Sequence, residues 1–311
     1  MSTPISRRHA LRSIAGAAAV ATLSRASAAE APTAGASAAN AAAGTAASGP
    51  SFQHSVCKWC FPRMTTEELA KTAKDVGLSS IELLNPPDFP ILKKYDLTCA
   101  MVNNPTGRTA AGVTVGGINK SWNRLEHHDA LIEAYTQRIG ESADAGFNQL
   151  ICFSGNREGM DEQLGLENCA IGLKRILPLA ERRGVTLVME LLNSKVNHRD
   201  YMCDRTAWGV ELAKRIGSER FKLLYDIYHM QIMEGDVIRT IQANHQYIAH
   251  YHTAGNPGRN EFEPQDVQEL NYVAISHALK ATGFRGHLGQ EFQPKRDPIT
   301  SLREAIKICS V

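Results

Sequence analysis

Residues 167–190 read ENCAIGLKRILPLAERRGVTLVME and hold one complete passage from helix to strand. Ala170, Leu173, Ile176, Leu177 and Ala180 recur at steps of three and four, which makes one apolar stripe able to lie on a sheet. Gly184 follows the stripe, where a left-handed helix end is easiest for a residue with no side chain. The run Thr186–Glu190 then reads as a short strand that stops at a carboxylate.

The same unit recurs along the chain. Short apolar or β-branched runs at 55–59, 80–83, 98–102, 149–153, 186–190, 222–226, 248–252 and 286–291 predict eight strands. Helical spacing fills 65–76, 129–145, 167–183, 206–216, 236–244, 272–281 and 300–309, and Gly77, Gly146, Gly217 and Gly283 follow helical stretches as Gly184 does. The helix after the second strand is poorly marked, because Pro86, Pro87 and Pro90 crowd its start. Eight βα units close most simply into an α/β fold of the (β/α)8 TIM-barrel type. A doubly wound sheet would carry a glycine-rich phosphate loop after its first strand, and CKWCFP at 57–62 is not one.

The chain has 311 residues, 43% of them hydrophobic and 21% charged, which is globular in composition and long enough for a sizeable core. Its beginning is different. The paired Arg7-Arg8, the apolar run 14–23 and the small-residue site Ala26-Ser27-Ala28 predict a twin-arginine signal peptide over 1–28. Residues 29–50, mostly Ala, Gly, Ser and Thr, cannot bury enough apolar surface to order and are expected to be a disordered linker. The folded catalytic domain is expected over 51–311. A run of ten apolar residues is shorter than the roughly 20 needed to span a bilayer, so no permanent membrane anchor is expected. The expected location is the bacterial periplasm or the outside of the cell, with the twin-arginine export machinery as a partner. Cleavage after Ala28 removes Arg7, Arg8, Arg12 and Arg25, leaving 30 basic against 32 acidic residues. That balance argues against a nucleic-acid partner; a homo-oligomer is left open. The seven cysteines are an odd number, and Cys57-x-x-Cys60 lacks the second pair of a zinc ribbon and the directly following helix of a redox site.

In a barrel of this kind the site lies at the C-terminal ends of the strands. Strands five to eight end in Glu190, Asp226, His252 and Glu291, and alternation turns all four to one face, His252 together with His250 and Glu291 together with Gly289. Each alone would read as a cap or an ion pair. Three carboxylates and an imidazole at one mouth would repel one another unless a cation neutralised them. Such an oxygen-rich set suits Mn2+ or Mg2+ best and admits Co2+ or Zn2+. Glu190 and Glu291 are assigned as an acid/base pair able to move a proton on an ion-bound substrate.

His229, three residues past Asp226, is placed to donate to a substrate oxygen or to cap the next helix. Arg259, in the loop 255–263, can clamp a substrate oxygen or form a simple ion pair. Glu82 and Asn103 close strands two and three and are candidates either to line the substrate pocket or to hold the rim together. Lys58 and Trp59 follow the first strand, with Trp59 read as an apolar wall or a core residue. His127, His128, His245 and His277 fall in helical segments and are expected at the surface.

The stretches MELLN (189–193), YDIYHMQ (225–231), HYHTAGNPGR (250–259) and GQEF (289–292) resemble the hydroxypyruvate isomerase family of the xylose isomerase-like TIM barrels, which also contain the ketose 3-epimerases. The resemblance is strong from about 185 to 298. It implies Glu190 and Glu291 as metal ligands that double as catalytic residues, Asp226 and His252 as ligands, and His229 and Arg259 as holders of substrate oxygens. The cytosolic hydroxypyruvate isomerases usually have glutamine where His252 stands, as the epimerases do not; the epimerases have a second glutamate where Val196 stands. The expected activity is therefore a metal-dependent, aldose-ketose type isomerisation of a small hydroxy-carbonyl compound. Alternatives on the same site are a ketose 3-epimerase or a 3-keto-sugar eliminating enzyme, and in another class a non-catalytic exported sugar-binding protein. The apurinic endonuclease branch, with three zinc ions, would need further histidines at strands two and three, where Glu82 and Asn103 stand.

Overall fold

A computed structural model describes residues 52–311 of the chain. The expected signal peptide (1–28) and linker (29–50) lie outside the described residues. The strands are β1 (Gln53–Cys57), β2 (Ser80–Glu82), β3 (Gly107–Arg108), β4 (Thr114–Val115), β5 (Gln149–Cys152), β6 (Thr186–Leu191), β7 (Phe221–Asp226), β8 (Ile248–Thr253) and β9 (His287–Gln290). The helices are α1 (Thr66–Val76), α2 (Phe89–Lys94), α3 (His128–Ala145), α4 (Glu162–Arg183), α5 (Thr206–Ile216), α6 (Ile227–Met233), α7 (Val237–Asn244), α8 (Tyr272–Ala281) and α9 (Pro298–Cys309).

Seven strands form one parallel sheet in the order β2-β1-β9-β8-β7-β6-β5, and β3 and β4 make a separate hairpin. The expected third strand, 98–102, is not regular. It contributes single parallel bridges, Ser80 to Thr98, Leu84 to Val102 and Val102 to Leu150, which join β2 to β5 and close the ring. Its ladder is interrupted because side chains take backbone partners: Ala100 N–H donates to Ser80 Oγ at 2.8 Å, and Cys99 Sγ donates to Met101 O at 3.2 Å. The result is an eight-position α/β barrel, with helices on its outside and α9 packing back on α1. Among the described residues no helix is long and apolar enough to cross a membrane.

The five stripe residues of α4 are all buried. This helix starts five residues before the expected position, because Asp161 accepts from the N–H groups of Gln163 and Leu164 at 2.9 and 3.1 Å and so caps it. Gly184 ends it with φ +69°, and β6, buried at every residue, follows as a central parallel strand. The helix expected after the second strand is the short α2, which starts only at Phe89, and two elements escaped the sequence reading: the β3–β4 hairpin and α6, which begins directly after Asp226. His127 and His128 also depart from expectation, since both are buried: their rings face the carbonyls of Ser121 and Trp122 at 3.0 and 2.9 Å. His245 and His277 are exposed as expected.

Leu173 is completely buried on the sheet side of α4. Leu173→Ala is expected to lower stability by about 2–5 kcal/mol in urea unfolding, with the transition remaining cooperative.

Candidate active site

Four side chains reach one mouth of the barrel because each stands within a residue of a strand end. Glu190 is next to last in β6, Asp226 ends β7, His252 is next to last in β8, and Glu291 follows β9. All are buried, and one ligand atom from each lies within 4.8 Å of the others. His252 Nδ1 is 3.1 Å from Glu291 Oε2 and 3.5 Å from Glu190 Oε1. Among the described residues, His252 Nδ1 and Glu190 Oε1 are buried atoms with no hydrogen-bond partner. A carboxylate oxygen and a ring nitrogen left unbonded in the interior, facing two further carboxylates, are what a divalent cation would satisfy. The donor set therefore fits such an ion.

Crowding separates the carboxylates electrostatically. Burial pushes Asp226 up to about 8 against the pull of Arg259. Glu190 is raised by burial and then by the charge of Glu291, with His252 opposing. Burial alone would raise Glu291 too, but Arg259 and His252 outweigh it and hold that carboxyl well below the ordinary range.

Arg259 closes the cluster from the β8 loop. Its Nη2 lies 2.5 Å from Glu291 Oε2 and 3.3 Å from Asp226 Oδ2. The guanidinium sits over the rings of Trp59 and Tyr228, 5.1 and 5.4 Å from their centroids. Its backbone is left-handed, φ +61°, an unfavourable state for arginine, and is fixed by hydrogen bonds from Arg259 N to Gly255 O and from Gln293 N to Arg259 O. Trp59 is 40% exposed, and its Nε1 donates to Glu291 Oε1 at 2.8 Å, so it is neither core nor plain apolar wall.

His229 does not cap α6; Asp226 does, accepting from His229 N–H at 3.1 Å. The imidazole is fully buried, and burial lowers its proton affinity, with Arg259 adding to the effect. Asn193 Nδ2 donates to His229 Nδ1 at 2.5 Å, which leaves the proton on Nε2, 3.6 Å from Asp226 Oδ2. Asn193, Tyr228 and His198, whose ring lies 5.2 Å from that of His229, were not singled out from sequence. Asn193 and Tyr228 stand inside the motif stretches, the one signal that could have marked them.

Glu82 is completely buried on the other side of His252 from the carboxylates and faces His250, His252 and Ser55, away from any open pocket. Asn103 is half-buried, and its contacts are made by its backbone, with Leu84 and Arg138. The structure brings neither to the cluster's open side. Cys57 and Cys60 are unpaired and buried, with thiols raised by burial, as inert cysteines are.

Residues 70–309 match the model of one protein family, described as the xylose isomerase-like TIM barrel. The chain belongs to that family. A hydroxypyruvate isomerase from Escherichia coli is 31% identical over 244 residues, which cover 74% of this chain and 89% of that one. A 2-oxo-tetronate isomerase from Cupriavidus necator is 33% identical over 130 residues, 42% of this chain and 47% of the relative's own length. The crystal structure of a family 2 AP endonuclease from Brucella melitensis superposes with a TM-score of 0.70 at 24% identity, over 81% of this chain and 97% of that chain, and shows the fold alone. Within the xylose isomerase-like barrels this chain is an isomerase.

Glu261, buried at the end of the Arg259 loop, accepts from the backbone N–H of Lys295 at 2.8 Å and of Arg296 at 2.8 Å. Burial pushes its proton affinity up, and these donors outweigh it, so its pKa falls below the ordinary glutamate value. A depressed folded pKa gives stability that is present above the unfolded value of about 4.3 and is lost as pH falls through the folded value. Glu261→Gln is expected to cost about 1–3 kcal/mol at pH 7, and urea unfolding should show that deficit shrinking below about pH 4.

Proposed function

We propose that this protein is a metal-dependent isomerase of a small hydroxy-carbonyl acid, of the hydroxypyruvate isomerase type. The observation that carries the reading is the buried set Glu190, Asp226, His252 and Glu291 with its unbonded His252 Nδ1 and Glu190 Oε1. These four would hold the ion, Mn2+ or Mg2+ on its oxygen-rich donors, with Co2+ or Zn2+ also accommodated. When bound, such an ion supplies Lewis-acid polarisation of a carbonyl and its neighbouring hydroxyl.

The chain's own groups supply the rest. Glu190 and Glu291 are the carboxylates that take a proton from one carbon and return it to the next. His229, kept neutral by burial and fixed by Asn193, presents its Nε2–H to a substrate oxygen. Arg259, stacked between Trp59 and Tyr228, meets a substrate carboxylate or alkoxide and excludes water over the cluster. A cleft of about 680 Å³ lined by Asn119, Lys120, Asn197, His198 and Arg199 adjoins His229 through His198. Lys120, Arg199 and the asparagine amides among its otherwise mixed lining could meet a hydroxylated anion. The names of the relatives point to hydroxypyruvate and to a four-carbon oxo acid. The 3-epimerase reading is weaker at one position: Val196, standing where those enzymes have glutamate, is 67% exposed and carries no acid.

The test is hydrogen exchange. Manganese-loaded protein in deuterated water is given hydroxypyruvate, 2-oxo-tetronate or a panel of ketoses, and label is followed by NMR. Deuterium entering beside the carbonyl, with conversion to the isomer and loss of at least about 100-fold in rate on Glu291→Gln or chelation, is the expected result. Inversion without isomerisation would make it an epimerase; binding without any exchange would leave a sugar-binding protein. Export by the twin-arginine route belongs to the same proposal, and Arg7→Lys with Arg8→Lys should hold the protein in the cytoplasm of an expressing bacterium, read by cell fractionation.

A further inference from the structure

The imidazole of His252 lies between two acidic environments. Its Nδ1 faces Glu190 and Glu291, and its Nε2 faces Glu82 Oε2 at 3.3 Å. The other atom near Nε2 is Cys57 Sγ, which is farther away at 3.7 Å and a weak acceptor. Glu82 is therefore the acceptor that Nε2–H meets. Glu82 is itself fully buried and held by two further contacts: Ser55 Oγ donates to its Oε1, and His250 Nε2 lies 2.7 Å from its Oε2. The backbone beside it leaves room for nothing else. On β9, paired with His252, stands Gly289, and a Cβ there would strike both Glu82 Oε1 and the His252 ring.

We propose that Glu82 is a positioning residue for the metal centre, orienting His252 so that Nε2 carries the proton and the Nδ1 lone pair points into the cluster formed by Glu190, Asp226 and Glu291. A ligating histidine needs its second nitrogen held by an acceptor, because that bond selects the tautomer and the ring angle and makes the ligating nitrogen a better donor. A carboxylate does this more strongly than a carbonyl. Ser55 and His250 hold the carboxylate in turn, and glycine at 289 supplies the space that the Glu82–His252 pair occupies. This rests on the proposed metal dependence but concerns a residue that touches neither substrate nor ion.

The experiment is calorimetric titration of Mn2+ into metal-free wild-type protein and into Glu82→Gln, with thermal unfolding of each metal-free form as a check on folding. Glu82→Gln is expected to bind Mn2+ about 10- to 100-fold more weakly while staying folded. Leu173→Ala, destabilised on α4, a helix that carries none of the cluster residues, should keep wild-type affinity, which separates loss of the Glu82 contact from general destabilisation. Equal affinity of wild type and a folded Glu82→Gln overturns the inference and leaves the metal site standing. A wild type that binds no Mn2+, Mg2+, Co2+ or Zn2+ overturns both. Should Glu82→Gln fail to fold, Ser55→Ala frees the same carboxylate more gently. A loss of about 2- to 10-fold in Mn2+ affinity then supports the assignment, and no loss refutes it.

Discussion

Like charges kept apart from water in a small volume are the constraint around which this barrel is built. Three carboxylates withdrawn from solvent cannot all ionise without compensation, since at these separations each pair repels by kilocalories in a poorly screened interior. The fold answers with compensating groups arranged at several distances. His252 stands among the carboxylates, Arg259 reaches in from the β8 loop, and an ion would complete the balance. The directions in which the three acids shift follow this arrangement: Glu291, touched by both His252 and Arg259, is held low, while Asp226 and Glu190 are driven up by burial.

The parts that do not touch the cluster serve its geometry. Aromatic faces of Trp59 and Tyr228 hold the Arg259 guanidinium, and Glu261 ties the loop that carries it to the backbone after β9. Asn193 fixes His229 through a side chain whose own oxygen is occupied by the N–H groups of Val196 and Asn197. Arg259 and His229 are thus each backed by groups on other elements, although the four cluster residues are scattered over a hundred positions of chain.

Much of this was legible in sequence because strand ends are legible. Glu190, Asp226, His252 and Glu291 each terminate an apolar run, and a parallel barrel brings such ends to one rim. The α4 stripe could be read from its spacing and its end from Gly184. What escaped depends on contacts between distant segments. The third strand position has an acceptable strand pattern, but Ser80 captures the N–H of Ala100 and breaks the ladder. His127 and His128 look like surface helix residues until the carbonyls of Ser121 and Trp122 are found above them. α6 was missed because it is short and apolar, and because its cap, Asp226, had already been given another task. The directions in which Glu82 and Trp59 point are set by tertiary packing and have no one-dimensional signal.

The irregular third position has a consequence for how the barrel tolerates change. Around the ring it lies opposite β8, the strand that carries His252, and the four strands bearing the cluster, β6 to β9, form an unbroken run of paired neighbours on the far wall. A change at this seam acts on single bridges, whereas the ladders between the strands that carry the four side chains run through β6 to β9. The barrel has, in effect, a side of continuous ladders and a side of single bridges, and the β3–β4 hairpin follows the latter in the chain.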